Sequence, residues 1–165
     1  MSARIAIRPA VAADVPLILE LIRALGEYER LAHEVTATEA DLHAQLFGAR
    51  PAAEVLIGEI DGQPAGFALF FHNFSTFLAK PGLYLEDVFV RPEHRGAGLG
   101  KALMVELARI AVERGCGRFE WSVLDWNQPS IDFYRSLGAV GMDEWTVQRV
   151  SGEALQRLAS AAKPE

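Results

Sequence analysis

Polar and apolar residues alternate between Arg4 and Arg8, which predicts a short strand closed by Arg8-Pro9. Past Asp14, read as a helix N-cap, Ile18, Leu21, Ile22 and Leu25 recur at helical spacing, so a helix is expected to about Arg30. Thr38 opens a second, shorter helix with Leu42 and Leu46, ended by Gly48 and Pro51. Two apolar strands follow, Glu54–Ile60 and 65–71. Asp61-Gly62 between them favours the positive φ angles of a two-residue hairpin turn. A third apolar run covers 83–90.

The pattern then changes. Arg91-Pro92 stops the strand, and Glu93-His94-Arg95-Gly96-Ala97-Gly98-Leu99-Gly100 leads into a helix with Leu103, Leu107, Ile110 and Ala111 on one side. Gly115 and Gly117 end that helix, and a strand is expected at 118–124. Asn127 and Pro129 read as the cap and first turn of a helix that stops at Gly138. A last strand is expected at 144–150, with a helix from Ser151. There is no repeat and no linker. Hairpin and crossover strands interleave with helices, so the expected fold is α/β, with a mixed sheet in one domain over 1–165.

Length and charge narrow the function. The chain has 165 residues, enough for one substantial core. Its 16 basic and 22 acidic residues give a net charge of −6, which argues against a general nucleic-acid binder. No apolar run reaches the roughly 20 residues that span a bilayer, and no signal peptide is expected. The single cysteine, Cys116, makes neither an internal disulfide nor a metal cluster, so a reducing cytoplasm fits best. His33, His43, His72 and His94 show no metal spacing, and no metal is expected; His72 is a candidate for the lining of an acceptor site.

The most informative segment is Arg95-x-x-Gly98-x-Gly100 between a strand and a helix. Glycines allow positive φ and close approach of a ligand, and free amides at a helix start favour an anion such as a diphosphate. Two nucleotide loops fit worse. A Walker loop needs a hydroxyl residue after Lys101, where Ala102 stands, and a dinucleotide fingerprint needs different glycine spacing in the first βα unit.

Arg95-Gly96-Ala97-Gly98-Leu99-Gly100 resembles the acyl-CoA pyrophosphate loop of the GNAT N-acetyltransferase superfamily. Asn127-Gln128-Pro129-Ser130-Ile131-Asp132-Phe133-Tyr134 resembles a second segment of the same superfamily. With Leu83-Tyr84-Leu85-Glu86-Asp87-Val88-Phe89-Val90, the likeness narrows to diamine acetyltransferases of the spermidine/spermine type and their thialysine-acetylating relatives; Leu124-Asp125-Trp126-Asn127-Gln128 leans toward the latter. The resemblance implies a GNAT-like, mostly antiparallel sheet with helices on both faces, acetyl-CoA as the coenzyme, and a homodimer. It assigns the coenzyme to Val88, Phe89, Val90, Arg95, Gly96, Ala97, Gly98, Leu99, Gly100, Lys101, Asn127 and Ser130. Exposed apolar residues such as Phe74 and Phe77 are candidates for the dimer contact.

Acetyl transfer to an amine needs a group that removes a proton, because an alkylammonium of pKa about 10 is no nucleophile at neutral pH. It also needs donors for the acyl oxygen and an acid for the departing thiolate. Glu86 and Asp87 stand inside an apolar strand, where strict alternation lets only one face a given site. An ion pair or the edge of burial also explains such carboxylates; the resemblance favours Glu86 as the base, acting through water, with Asp87 turned away. Tyr134 reads either as a buried tyrosine or, by resemblance, as the acid for the CoA sulfur. Asn127 reads as a helix cap and, by resemblance, as a contact to the CoA arm. Cys116 between two glycines, away from both motifs, is no candidate nucleophile.

Between Glu20 and Asp41 six acids face only Arg23 and Arg30, a balance that suits a cationic acceptor, although a solvated helix face explains most of it. Tyr28-Glu29 matches the tyrosine–glutamate pair that faces the amine in diamine acetyltransferases, but Arg30, Ala32 and His33 replace the further aromatic and acidic residues of that pattern. A shorter amine or a lysine-like amino acid thus stands beside polyamines. Tyr28, Glu29, Glu86, Glu120 and Ser122 form the expected acceptor set, with Trp121 in the core. The expected activity is direct acetyl transfer in a ternary complex to a primary amine of a small cationic molecule. The alternatives are a protein or peptide amine as acceptor, or an acyl-CoA-binding module without turnover.

Overall fold

The computed structural model describes residues 2–161, and the chain divides into two compact units, Met1–Ser122 and Val123–Glu165. In the first unit five strands form one sheet in sequence order: β1 (Ile5–Pro9), β2 (Glu54–Ile60), β3 (Gln63–Ser75), β4 (Lys80–Val90) and β5 (Phe119–Trp121). The first four pair antiparallel; β5 runs parallel to β4 after a helical crossover. Asp61 and Gly62 take φ of 51° and 80° at the β2–β3 turn, as the dipeptide predicts.

One face of the sheet is covered by α1 (Val15–Tyr28) and α2 (Glu39–Phe47). Ile18, Leu21, Leu25 and Leu46 pack there on Val55, Ile57, Phe67 and Phe89. Each fully buried side chain of this size contributes roughly 1.5–3 kcal/mol. Thr38 caps α2 as expected, accepting from Asp41 N at 3.1 Å. Asp14 stands at the N-cap of α1 as expected but makes no side-chain bond to a helix amide; its carboxylate accepts two bonds from the Arg8 guanidinium, at 2.7 and 2.9 Å, and one from Val11 N at 2.8 Å. A bidentate arginine outcompetes a single amide for those oxygens.

The other face carries α3 (Leu99–Glu113), with Leu99, Leu103 and Leu107 fully buried. Gly58 and Gly66 sit opposite each other on β2 and β3. A Cβ at Gly58 would lie 2.7 Å from Leu99 Cδ1, so the glycines form the seat that holds the first turn of α3 against the sheet. No helix among the described residues is long and apolar enough to cross a membrane.

The second unit holds α4 (Gln128–Ser136) and α5 (Gly152–Ala159). Asn127 Oδ1 accepts from Ser130 N at 3.3 Å and caps α4. Gly138, at φ 97°, ends it, with Ala139 N donating to Tyr134 O at 3.1 Å. Two expectations need correction. The strand read at 118–124 pairs only over Phe119–Trp121, where Trp121 is half-buried beside Phe119 (ring centroids 4.8 Å apart). The strand read at 144–150 does not form, and Trp145 and Val147 are exposed. Alternation marks a strand only where a neighbour supplies ladder hydrogen bonds, and residues 145–150 have none among those described.

Candidate active site

β4 runs directly into the glycine loop. Gly96 and Gly98 both adopt left-handed φ, at 90° and 93°, and Gly98 is the N-cap of α3 without any side-chain cap. The first amides of the helix, from Leu99 onward, are therefore donors without intrahelical acceptors, lying at the positive end of the helix dipole. Leu99 is buried, so only its main chain is available to a ligand. This backbone fits a diphosphate. Arg95 leans back across the loop: its Nε donates to Val90 O at 3.1 Å, and its guanidinium lies 4.6 Å from the Tyr28 ring centroid and 5.8 Å from that of Phe89.

The edge of β4 is open over half its length. β5 pairs only with Leu83–Leu85, so 86–90 has β3 as its sole strand partner among the described residues. The main-chain groups on the free side suit an extended amide-bearing chain, as an added strand.

The break coincides with a bulge. Leu69 pairs with Asp87, but Phe70 pairs with Leu85, leaving Glu86 as the extra residue. Alternation carries Glu86 to the face of Tyr84, and the bulge returns Asp87, paired with Leu69, to that same face. Asp87 therefore does not turn away, and alternation along the sequence misassigned it. It is largely buried, and desolvation, with the charges of Glu86 and Glu29, pushes its pKa up to about 7. Burial also raises Glu29. Glu86 itself is exposed. Tyr28, the last residue of α1, tilts against Phe89 with ring centroids 6.4 Å apart, bringing Tyr28-Glu29 to the face that holds both β4 carboxylates. Asp87 is thus a functional candidate that sequence reasoning missed; its only signal was a second acid beside Glu86 in an apolar strand.

Glu120 and Ser122 lie on this same face further along. Glu120 pairs with Arg118 at 2.8 Å and accepts from Asn73 Nδ2 at 3.4 Å, while the Ser122 and Tyr84 hydroxyls are 2.9 Å apart. His72 does not line this face. Alternation puts it on the opposite one, where its Nε2 is 3.4 Å from Arg114, itself paired with Glu54. In the second unit, Asn127 is buried at the start of α4, and Ser130 and the half-buried Tyr134 follow at helical spacing.

The sequence profile of the acetyltransferase (GNAT) family matches residues 18–139. The chain is 38% identical to a thialysine N-epsilon-acetyltransferase of Sus scrofa, over 95% of this chain and 98% of that protein. It is 36% identical to an L-ornithine N5-acetyltransferase of Arabidopsis thaliana, over 92% of this chain and 86% of that protein. Among solved structures, an integron cassette protein from the mobile metagenome of V. cholerae superposes with a TM-score of 0.81 at 27% identity, covering 98% of this chain and 99% of that one.

Proposed function

Because the chain belongs to the GNAT acetyltransferase family, whose members use acetyl-CoA, we propose that it transfers acetyl to a primary amine of a small cationic acceptor, either a diamine or polyamine or a thialysine-like amino acid. The observation that carries this reading is one continuous surface: the free edge of β4 at 86–90, the glycine loop at its end, and Tyr28, Glu29, Glu86 and Asp87 on the adjoining face. The names of the relatives support an amine acceptor of this size.

The amides of residues 96–101, with Arg95, hold the diphosphate, and main-chain groups of Val88, Phe89 and Val90 hold the pantetheine amides and the acyl oxygen. When bound, acetyl-CoA supplies the acetyl group that ends on the acceptor nitrogen, leaving free CoA. Glu29 and Asp87 attract the ammonium, and Tyr28 offers it an aromatic face. Glu86 removes one amine proton through water, and Tyr134 gives one proton to the leaving sulfur. Asn127 and Ser130 contact the coenzyme arm from α4. Two copies associate through exposed apolar residues that include Phe74 and Phe77, and the single cysteine suits a reducing cytoplasm.

The test is thiol release from acetyl-CoA across a broad panel of amines, with the product identified by mass. Acetylation of small diamines or basic amino acids is expected, and Tyr134→Phe is expected to lower kcat by roughly 10²–10⁴-fold with CoA binding retained. No release above background with any amine overturns the reading.

A further inference from the structure

We propose that Arg118 and Glu120 read the head group of the acceptor and select an α-amino acid whose side chain ends in a primary amine. This deepens the acyl-transfer reading and rests on it.

The argument starts from register. Glu120 stands level with Tyr84, and Arg118 two residues earlier on the same strand side, its Cγ 3.6 Å from where a Cβ on Gly82 would lie. Both point to the face that carries Glu86 and Asp87. Glu86 is two residues beyond Tyr84 on β4, a step of roughly 6.6 Å. Five extended single bonds, each advancing roughly 1.25 Å once the zigzag is counted, cover about 6 Å, which is the length of a lysine-like side chain from Cα to its amine. An amine held at Glu86 thus brings its Cα substituents to the row of Tyr84 and Glu120.

That row presents opposite charges side by side. Arg118 Nε and Glu120 Oε1 are 2.8 Å apart, Asn73 Nδ2 steadies the same carboxylate oxygen at 3.4 Å, and the Tyr84 and Ser122 hydroxyls lie beside them. An α-amino acid head also carries one positive and one negative group. The guanidinium fork matches its carboxylate, and Glu120 matches its ammonium. The side chains of Arg118 and Glu120 are 44% and 36% exposed, and exposed ion pairs are weak, so the pair exchanges its mutual contact for the ligand's at little cost. A diamine offers no anion to Arg118, whose charge then opposes a second ammonium in that place. Specificity here comes from repulsion as well as attraction.

The experiment compares lysine, thialysine and ornithine, each against its decarboxylated counterpart, by kcat/KM of the purified protein. The amino acids are expected to exceed their counterparts by roughly ten- to hundredfold, the span of one charge-assisted contact, with most of the difference in KM. Acetylation is expected on the side-chain amine. Ornithine methyl ester, which lacks the carboxylate, is expected to fall to the level of the diamine on the unaltered protein, a result independent of any variant's folding. Arg118→Gln is expected to collapse the preference ratio, and Arg118→Lys to restore part of it. Equal efficiency for amino acids and their counterparts overturns the inference, as does a ratio that Arg118→Gln leaves intact. Absence of acetylation with every acceptor overturns the acyl-transfer reading instead.

Discussion

Lys80–Leu85 and Glu86–Val90 are halves of one strand with similar apolar content, yet they meet different surroundings. The first half has strand neighbours on both edges over Leu83–Leu85, while the second has β3 alone. The difference arises at one residue, Glu86, which has no partner in β3. The bulge bends the strand away from regular alternation, gathers two carboxylates on one face, and coincides with the end of pairing to β5. A paired edge is satisfied and inert. An unpaired edge leaves main-chain donors and acceptors that a ligand can meet, and it leads straight into the glycine loop.

The comparison breaks most visibly at the bulge. Glu86→Gln is expected to lower kcat by about 10²–10⁴-fold, the usual span for losing a general base. Lys80→Gln, on the exposed start of the paired half, leaves turnover at the level of the unaltered protein. Steady-state kinetics on the two variants decides the matter; equal effects would erase the distinction between the halves.

A smaller effect is expected at the loop. Gly98 sits at φ 93°, and its absent Cβ would meet only Ile5 Cδ1 at 3.9 Å, so the constraint there is conformation rather than space. A non-glycine residue in this region costs roughly 1–2 kcal/mol. Gly98→Val is therefore expected to weaken CoA binding about five- to thirtyfold in a calorimetric titration. Unchanged affinity would remove the loop from the coenzyme site.

The last effect is read in stability rather than in turnover or coenzyme binding, and it concerns Asp87. The folded protein holds its proton up to about pH 7, whereas a solvated aspartate releases it near 4. Between those values the folded state binds more protons than the unfolded one, so this group makes stability fall as pH rises. Asp87→Asn removes the cost of ionising a buried acid. The Tm of the variant should exceed that of the unaltered protein at about pH 8, and the gap should close on acidification to about pH 4. A gap that is constant with pH would mean that Asp87 is not held in this state.

Most elements were legible before the structure. Thr38, the Asp61-Gly62 turn and Asn127 act where they were expected, because caps and tight turns depend on a few neighbouring residues. The glycine loop was legible for the same reason: positive φ at Gly96 and Gly98 is a local demand. The acceptor face was less so. Tyr28, Glu29, Glu86, Glu120 and Ser122 do lie on one side of the sheet, but Asp87 joins them and His72 does not.

What the chain determined by itself is therefore most of the helices and strands, the glycine loop and the presence of acids in β4, all readable from contacts a few residues apart. What only the tertiary structure decided is the register: the bulge that turns Asp87 inward, the pairing of Arg118 with Glu120 and the short reach of β5, together with the absence of a strand at 144–150. Strand register shifts side chains between faces one residue at a time, and it is set by partners far away in sequence.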